Sequence, residues 1–162
     1  MDMKQLDAIV ESYRDEIIRD IRAWVSVPSV LSDAQPGAPF GLETRRALDL
    51  ALATARGYGF DVRDVDGYCG DISLGTGEST LGILCHLDVV PAGEGWTKDP
   101  WGGEIEDGKL YGRGTMDDKG PAVAALHAMR AVRAAGIPLQ DGVRLILGCD
   151  EETGMTDMAY YK

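Results

Sequence analysis

Apolar residues recur along the first part of the chain at helical spacing. Leu6, Ile9, Val10, Tyr13, Ile17, Ile21 and Trp24 follow one another at steps of three, one, three, four, four and three. That spacing lines one face of a single long amphipathic helix. The helix ends at Val27-Pro28-Ser29, because the residue before a proline is biased away from the α region. Positions 32–41, with Pro36, Gly37 and Pro39, read as a loop. A second helix is predicted over 42–55, stopping at Gly57. Short strands are predicted over 60–65, 71–74 and 81–87. The third is a nearly continuous apolar run, as expected of a strand buried on both faces. Positions 89–108 are rich in Gly, Pro and Trp and read mostly as loop, with a further short strand over 109–111. The stretch 121–134 reads as a helix, with Pro121 in its first turn and Gly136 and Pro138 past its end. Another buried strand covers 143–149. This alternation predicts an α/β fold with a central mixed, largely parallel sheet flanked by helices.

Length and composition narrow the picture. At 162 residues the chain is one average domain, and with 44% hydrophobic and 27% charged residues it has ordinary globular usage. Its 27 acidic against 16 basic residues give a net charge of −11. That balance argues against a nucleic-acid partner and against a polybasic membrane surface. No apolar run reaches the roughly 18 residues of a membrane span. The charged N-terminal stretch does not read as a signal peptide. The three cysteines are an odd, sparse set, and Cys85 and Cys149 sit inside apolar runs. A reduced, cytoplasmic protein is the expectation.

Three polar motifs stand out. In His86-Leu87-Asp88, the two polar residues face the same side of an extended segment. Asp88 could then orient the imidazole toward a metal, or the pair could simply finish a strand. In Gly112-Arg113-Gly114-Thr115-Met116-Asp117-Asp118-Lys119-Gly120-Pro121, two glycines precede two carboxylates and a helix start. An aspartate there is ordinarily a cap. Phosphate binding is excluded, since no Gly-Lys-Ser/Thr is present and the carboxylates would repel it. The third motif, Asp150-Glu151-Glu152, follows the 143–149 strand directly, where open α/β sheets collect ligands. One His and several carboxylates suit zinc, or manganese or cobalt, and do not suit calcium. No Gly-x-Ser-x-Gly elbow and no cysteine with a partner base competes.

The run HLDVVPAGEGWTKDPWGGEIEDGKLYGRGTMDDKGP from His86, followed by DEETG from Asp150, resembles one metallopeptidase family. It is the co-catalytic di-zinc family of bacterial Xaa-His dipeptidases, carnosinase, aminoacylase, glutamate carboxypeptidase and succinyl-diaminopimelate desuccinylase. Lys-Gly-Pro after the two aspartates looks most like the dipeptidase branch. The resemblance implies His86, Asp117 and Glu152 as metal ligands, with Asp117 bridging two zinc ions. It implies Asp88 as the acid orienting His86, Glu151 as the general base, and a cis bond between Asp117 and Asp118. The implied activity is hydrolysis of a dipeptide by a metal-bridging hydroxide. A related N-acyl amino acid deacylase, desuccinylase or carboxypeptidase is the alternative, with a short N-acyl amino acid as substrate. The pattern also requires a later acid, a later His and a lid/dimerisation domain. Asp157 lies too near Glu152 to be that acid, and His127, between Leu126 and Ala128, matches no ligand and reads as structural. Residues 1–162 are therefore expected to be the N-terminal part of the catalytic domain. Alone, such a piece catalyses nothing and at most binds one cation. The oligomeric state is not readable.

Overall fold

The computed structural model describes residues 3–76 and 80–161. The apolar stripe of the first segment forms two helices rather than one, α1 (Met3–Ser12) and α2 (Arg14–Val25). The break falls at Tyr13, whose N–H bonds to the Val10 carbonyl at 3.0 Å in a tightened i→i−3 step. Its ring packs at 6.0 Å from that of His127. There follow α3 (Leu42–Gly57), β1 (Asp61–Val65), β2 (Cys69–Leu74), β3 (Thr80–His86), β4 (Glu104–Glu106), β5 (Lys109–Tyr111), α4 (Lys119–Ala134), β6 (Gly142–Gly148) and α5 (Thr156–Tyr160). Strand β4 lies within the stretch expected to be loop. Asp107 and Gly108, at φ 51° and 73°, form the two-residue turn that pairs it with β5.

Four strands make one mixed sheet in the order β1-β2-β6-β3. Its parallel component is the β3–β6 pair alone; β1–β2 and β2–β6 are antiparallel. One face carries Ile72, Cys85, Leu145 and Leu147 and packs against Leu48, Ala51 and Leu52 of α3 and Val123 and Leu126 of α4. Gly70 interrupts this face because α3 lies against it. A Cβ there would come within 2.9 Å of Leu52 Cδ2 and 3.0 Å of Leu48 Cδ1.

The opposite face carries Asp71, Leu84, His86 and Ile146. The structure corrects the expectation that β3 is buried on both sides: Leu84, on this face, is 54% exposed, and Leu81, on the other face near the start of the strand, is 62% exposed. Strand β3 is the sheet edge among the described residues, and the cover on this face, α5 with Tyr161, is short. Tyr161 Oη donates to Asp71 Oδ2 at 3.0 Å.

Candidate metal centre

Parallel pairing puts the carboxyl ends of β3 and β6 side by side. His86 stands opposite Gly148, and Leu87 N–H donates to the Gly148 carbonyl at 2.8 Å. The stretches that follow each strand, together with the loop before α4, meet at this end. His86, Asp117 and Glu152 each offer a ligand atom, all within 4.8 Å of one another. His86 Nε2 lies 3.1 Å from Asp117 Oδ1 and 3.8 Å from Glu151 Oε2. The structure thus brings together His86, Asp88, Asp117, Glu151 and Glu152. Asp88 stands behind them, buried, and Glu151 at the rim with its side chain 48% exposed.

The contact between His86 and Asp88 differs in detail from expectation. Nδ1 bonds to the Asp88 backbone carbonyl at 3.0 Å, and the carboxylate Oδ1 is farther, at 3.4 Å. With Nδ1–H donated to a carbonyl, the Nε2 lone pair is the one left for a metal. The other Asp88 oxygen accepts the Glu152 N–H at 2.9 Å. One buried carboxylate therefore spans two motifs 64 positions apart.

The site is rich in negative charge. Burial pulls the His86 imidazole down, but the Asp88 carboxylate, then Asp117, push it up to about 9. Glu152 is raised by burial and then by the neighbouring Asp117 charge. Lys119, wholly buried at the start of α4, is pulled down to about 7 by burial against the charges of Asp88 and Glu43. Its Nζ donates to the Val27 carbonyl at 2.6 Å. Buried Ser29 donates to the Leu87 carbonyl at 2.6 Å and accepts Val89 N–H at 3.0 Å. The burial of Lys119 and Ser29 is not readable from the sequence, since both residue types are usually exposed.

Several polar residues nearby do other work. The Asp117–Asp118 peptide bond is cis. Asp118 holds the N-cap position of α4 without a side-chain cap bond; its Oδ2 accepts the His86 N–H at 3.1 Å. Asp150 turns away from the cluster and accepts from Thr153 Oγ1, Thr156 N–H and Thr156 Oγ1. Burial alone would raise Asp150, but those donors hold it below its ordinary value. Asp157 Oδ2 accepts the N–H groups of Cys149 and Asp150 at 2.6 and 3.1 Å, tying off β6. His127 is remote from the cluster and buried against Asp20, at 2.9 Å.

Comparison with known proteins follows these residues. Residues 82–161 match the profile of Peptidase family M20/M25/M40. The chain is 40% identical over 150 residues to "Putative dipeptidase YtjP" of Bacillus subtilis, covering 91% of this chain and 32% of that protein. It is 40% identical over 146 residues to "Putative dipeptidase SSP1012" of Staphylococcus saprophyticus, covering 89% and 31%. Human carnosine dipeptidase 1 superposes with a TM-score of 0.83 at 29% identity, over 97% of this chain and 36% of that one. The yeast dipeptidase Dug1p from Saccharomyces cerevisiae, at 20% identity and a TM-score of 0.82 over 97% and 36%, shares the fold. The chain spans about a third of the length of the curated relatives it matches.

Proposed function

This chain belongs to peptidase family M20/M25/M40 through residues 82–161, and from that premise we propose that the protein carrying it is a metal-dependent dipeptidase. The observation that carries the reading is the convergence of His86, Asp117 and Glu152 within 4.8 Å from three separate stretches. Relatives named as dipeptidases support dipeptides as the substrate class. One imidazole nitrogen with carboxylate oxygens fits zinc, with manganese or cobalt as alternatives. The fit is chemical as well as spatial, because the Nδ1 bond to the Asp88 carbonyl presents Nε2 to the cluster. A divalent cation held there supplies Lewis acidity toward a peptide carbonyl and acidifies water.

The chain's own groups have distinct parts. Asp88 anchors both His86 and Glu152. Glu151, half-exposed beside His86, takes the proton of the attacking water on its Oε2. It returns that proton to the leaving amine nitrogen. Three ligands suffice for one catalytic ion. A second ion would need donors beyond those that residues 1–162 supply. Residues 1–162 alone therefore bind metal weakly and do not turn over. The three free, buried cysteines fit a cytoplasmic setting.

The test is hydrolysis by the full-length protein that contains this chain. Xaa-His and Ala-Xaa dipeptides are compared with N-acetyl and N-succinyl amino acids, with and without chelator. Metal-dependent cleavage of the dipeptides is expected. Turnover of the N-acyl substrates alone would move the reading to a deacylase, and no metal-dependent hydrolysis at all would reject it.

A further inference from the structure

We propose that Asp118 is a positioning residue: by gripping the His86 main chain it fixes how far His86 stands from Asp117. The inference rests on the metal-centre reading above. Along a parallel pair, successive N–H groups of one strand point alternately to its two sides. Leu87 N–H is bonded to the Gly148 carbonyl of β6, so the His86 N–H points the other way. Among the described residues β3 is the edge strand, and no neighbouring strand meets it there. A buried main-chain donor in that place requires a partner, and Asp118 Oδ2 supplies it at 3.1 Å.

The carboxylate does this in place of its ordinary work. An aspartate at a helix N-cap accepts from the N–H groups of its own helix, and Asp118 makes no such bond to α4. A second direct contact between the two ligand stretches is His86 Nε2 to Asp117 Oδ1, at 3.1 Å. That contact lies where an ion would sit and is given up when one enters. The Asp118 contact is on the main-chain side of His86 and persists. From the other flank, Ser29 holds Leu87 and Val89, while Lys119 bonds to Val27 two positions from Ser29. Both strips that carry ligands are thereby held while the space between Nε2 and Oδ1 stays open to a cation.

The test is cobalt(II) titration of the full-length protein that contains this chain, read by its visible absorption and by competition with a chelator. Asp118→Ser keeps a good helix-capping hydroxyl and loses the reach to His86; Asp118→Asn keeps an acceptor oxygen at the same reach. Asp118→Ser is expected to weaken cobalt binding about 10- to 100-fold, as loss of groups that orient ligands does, and to shift the absorption band. Asp118→Asn is expected to restore most of the affinity and the band. Asp71→Asn, which disturbs the Arg63 and Tyr161 contacts across the sheet, is expected to lower Tm without moving the band. Equal cobalt affinity and an unchanged band in Asp118→Ser would overturn the proposal. A full-length wild-type protein that takes up no more cobalt than its His86→Ala variant would remove the metal reading itself. The positioning role is then decided on the metal-free protein by amide hydrogen exchange. His86 N–H must lose protection at least 10-fold in Asp118→Ser and keep it in Asp118→Asn; equal protection in all three overturns it.

Discussion

Replacing His127 by alanine separates the chain's two histidines. His127 is buried, with Nε2 2.9 Å from Asp20 Oδ2 and its ring 5.3 Å from that of Tyr58. The substitution removes a hydrogen bond to a charged group, worth about 1.5–3 kcal/mol, and leaves a cavity in a packed site. Asp20 keeps Tyr58 Oη at 2.6 Å and Arg19 at 3.0 Å, so its carboxylate is not stranded. Together with the range for large-to-small changes at buried sites, the expected loss is about 3–5 kcal/mol. For a chain of this size that lowers Tm by about 6–20 °C. The assay is thermal unfolding at pH 7.5 beside a cobalt titration, in which affinity should stay within about threefold of wild type because His127 is no ligand. Repeating the unfolding at lower pH adds a second reading. Burial pushes His127 below its ordinary value despite the pull of Asp20; Arg130 opposes protonation and Glu16 favours it. The unfolded chain takes up the proton near pH 6.5, the folded one only below that. The contribution of His127 is therefore full above about 6.5 and falls away as pH drops toward the folded value. The gap in Tm between wild type and variant should narrow between pH 7.5 and 5.5. A Tm change under about 3 °C, or lost cobalt binding in a folded variant, would refute the assignment.

Three further outcomes are expected. In the full-length protein, Glu151→Gln should leave metal content intact and lower kcat about 100-fold or more; loss of metal with normal turnover per bound ion would exchange the roles of Glu151 and Glu152. Asp88→Ala frees the Glu152 N–H and removes the charge beside His86 Nδ1, so chelator competition should show metal held about 10- to 100-fold more weakly; unchanged affinity would deny the anchoring role. Gly120→Ala would drive a Cβ into the Thr115 carbonyl oxygen, backbone that cannot swing aside. It should cost about 1–3 kcal/mol or more in urea unfolding, and an unaltered midpoint would show that the loop yields.

What the sequence made legible was what repeats locally. The apolar runs of β3 and β6, the helical period of α4 and the polar residues at their ends are short-range patterns, and each placed its element within a few residues. The break at Tyr13 was not legible, because the apolar spacing runs through it without interruption; its ring meets that of His127, more than a hundred positions away. The exposure of Leu84 was equally hidden: an apolar run states what a strand can bury, not whether something covers it. Strand β4 had a signal in Asp107-Gly108, a dipeptide suited to a tight hairpin, but flanking strands of three residues carry too little alternation to be seen. Within the site, residue types pointed to three motifs, and the family resemblance picked out His86, Asp117, Glu151 and Glu152 within them. The bond from Glu152 N–H to Asp88 and the use of Asp118 away from its helix are tertiary facts with no local imprint.

That the ligand-bearing stretches meet at all follows from topology before chemistry. Strands β3 and β6 are parallel neighbours, so the chain leaving β3 at His86 must return to the opposite end of the sheet before β6 can begin. Helix α4 makes that return and must therefore start at the end where β3 finishes. The loop bearing Asp117 is thus delivered to the carboxyl ends of both strands, the place where open α/β sheets gather ligands. Asp88, Asp117, Asp118, Glu151 and Glu152 then stand close together in a chain that already carries a net charge of −11. Burial first, and then the neighbouring Asp117 charge, raise the Glu152 carboxyl, so its charged form works against folding. The groups that offset it are few: the imidazole of His86 and the buried ammonium of Lys119, itself disfavoured in its charged form by burial. A cation bound only by the folded state would stabilise it by mass action. With a cation held there, the same crowded carboxylates would make occupancy and folding one linked equilibrium.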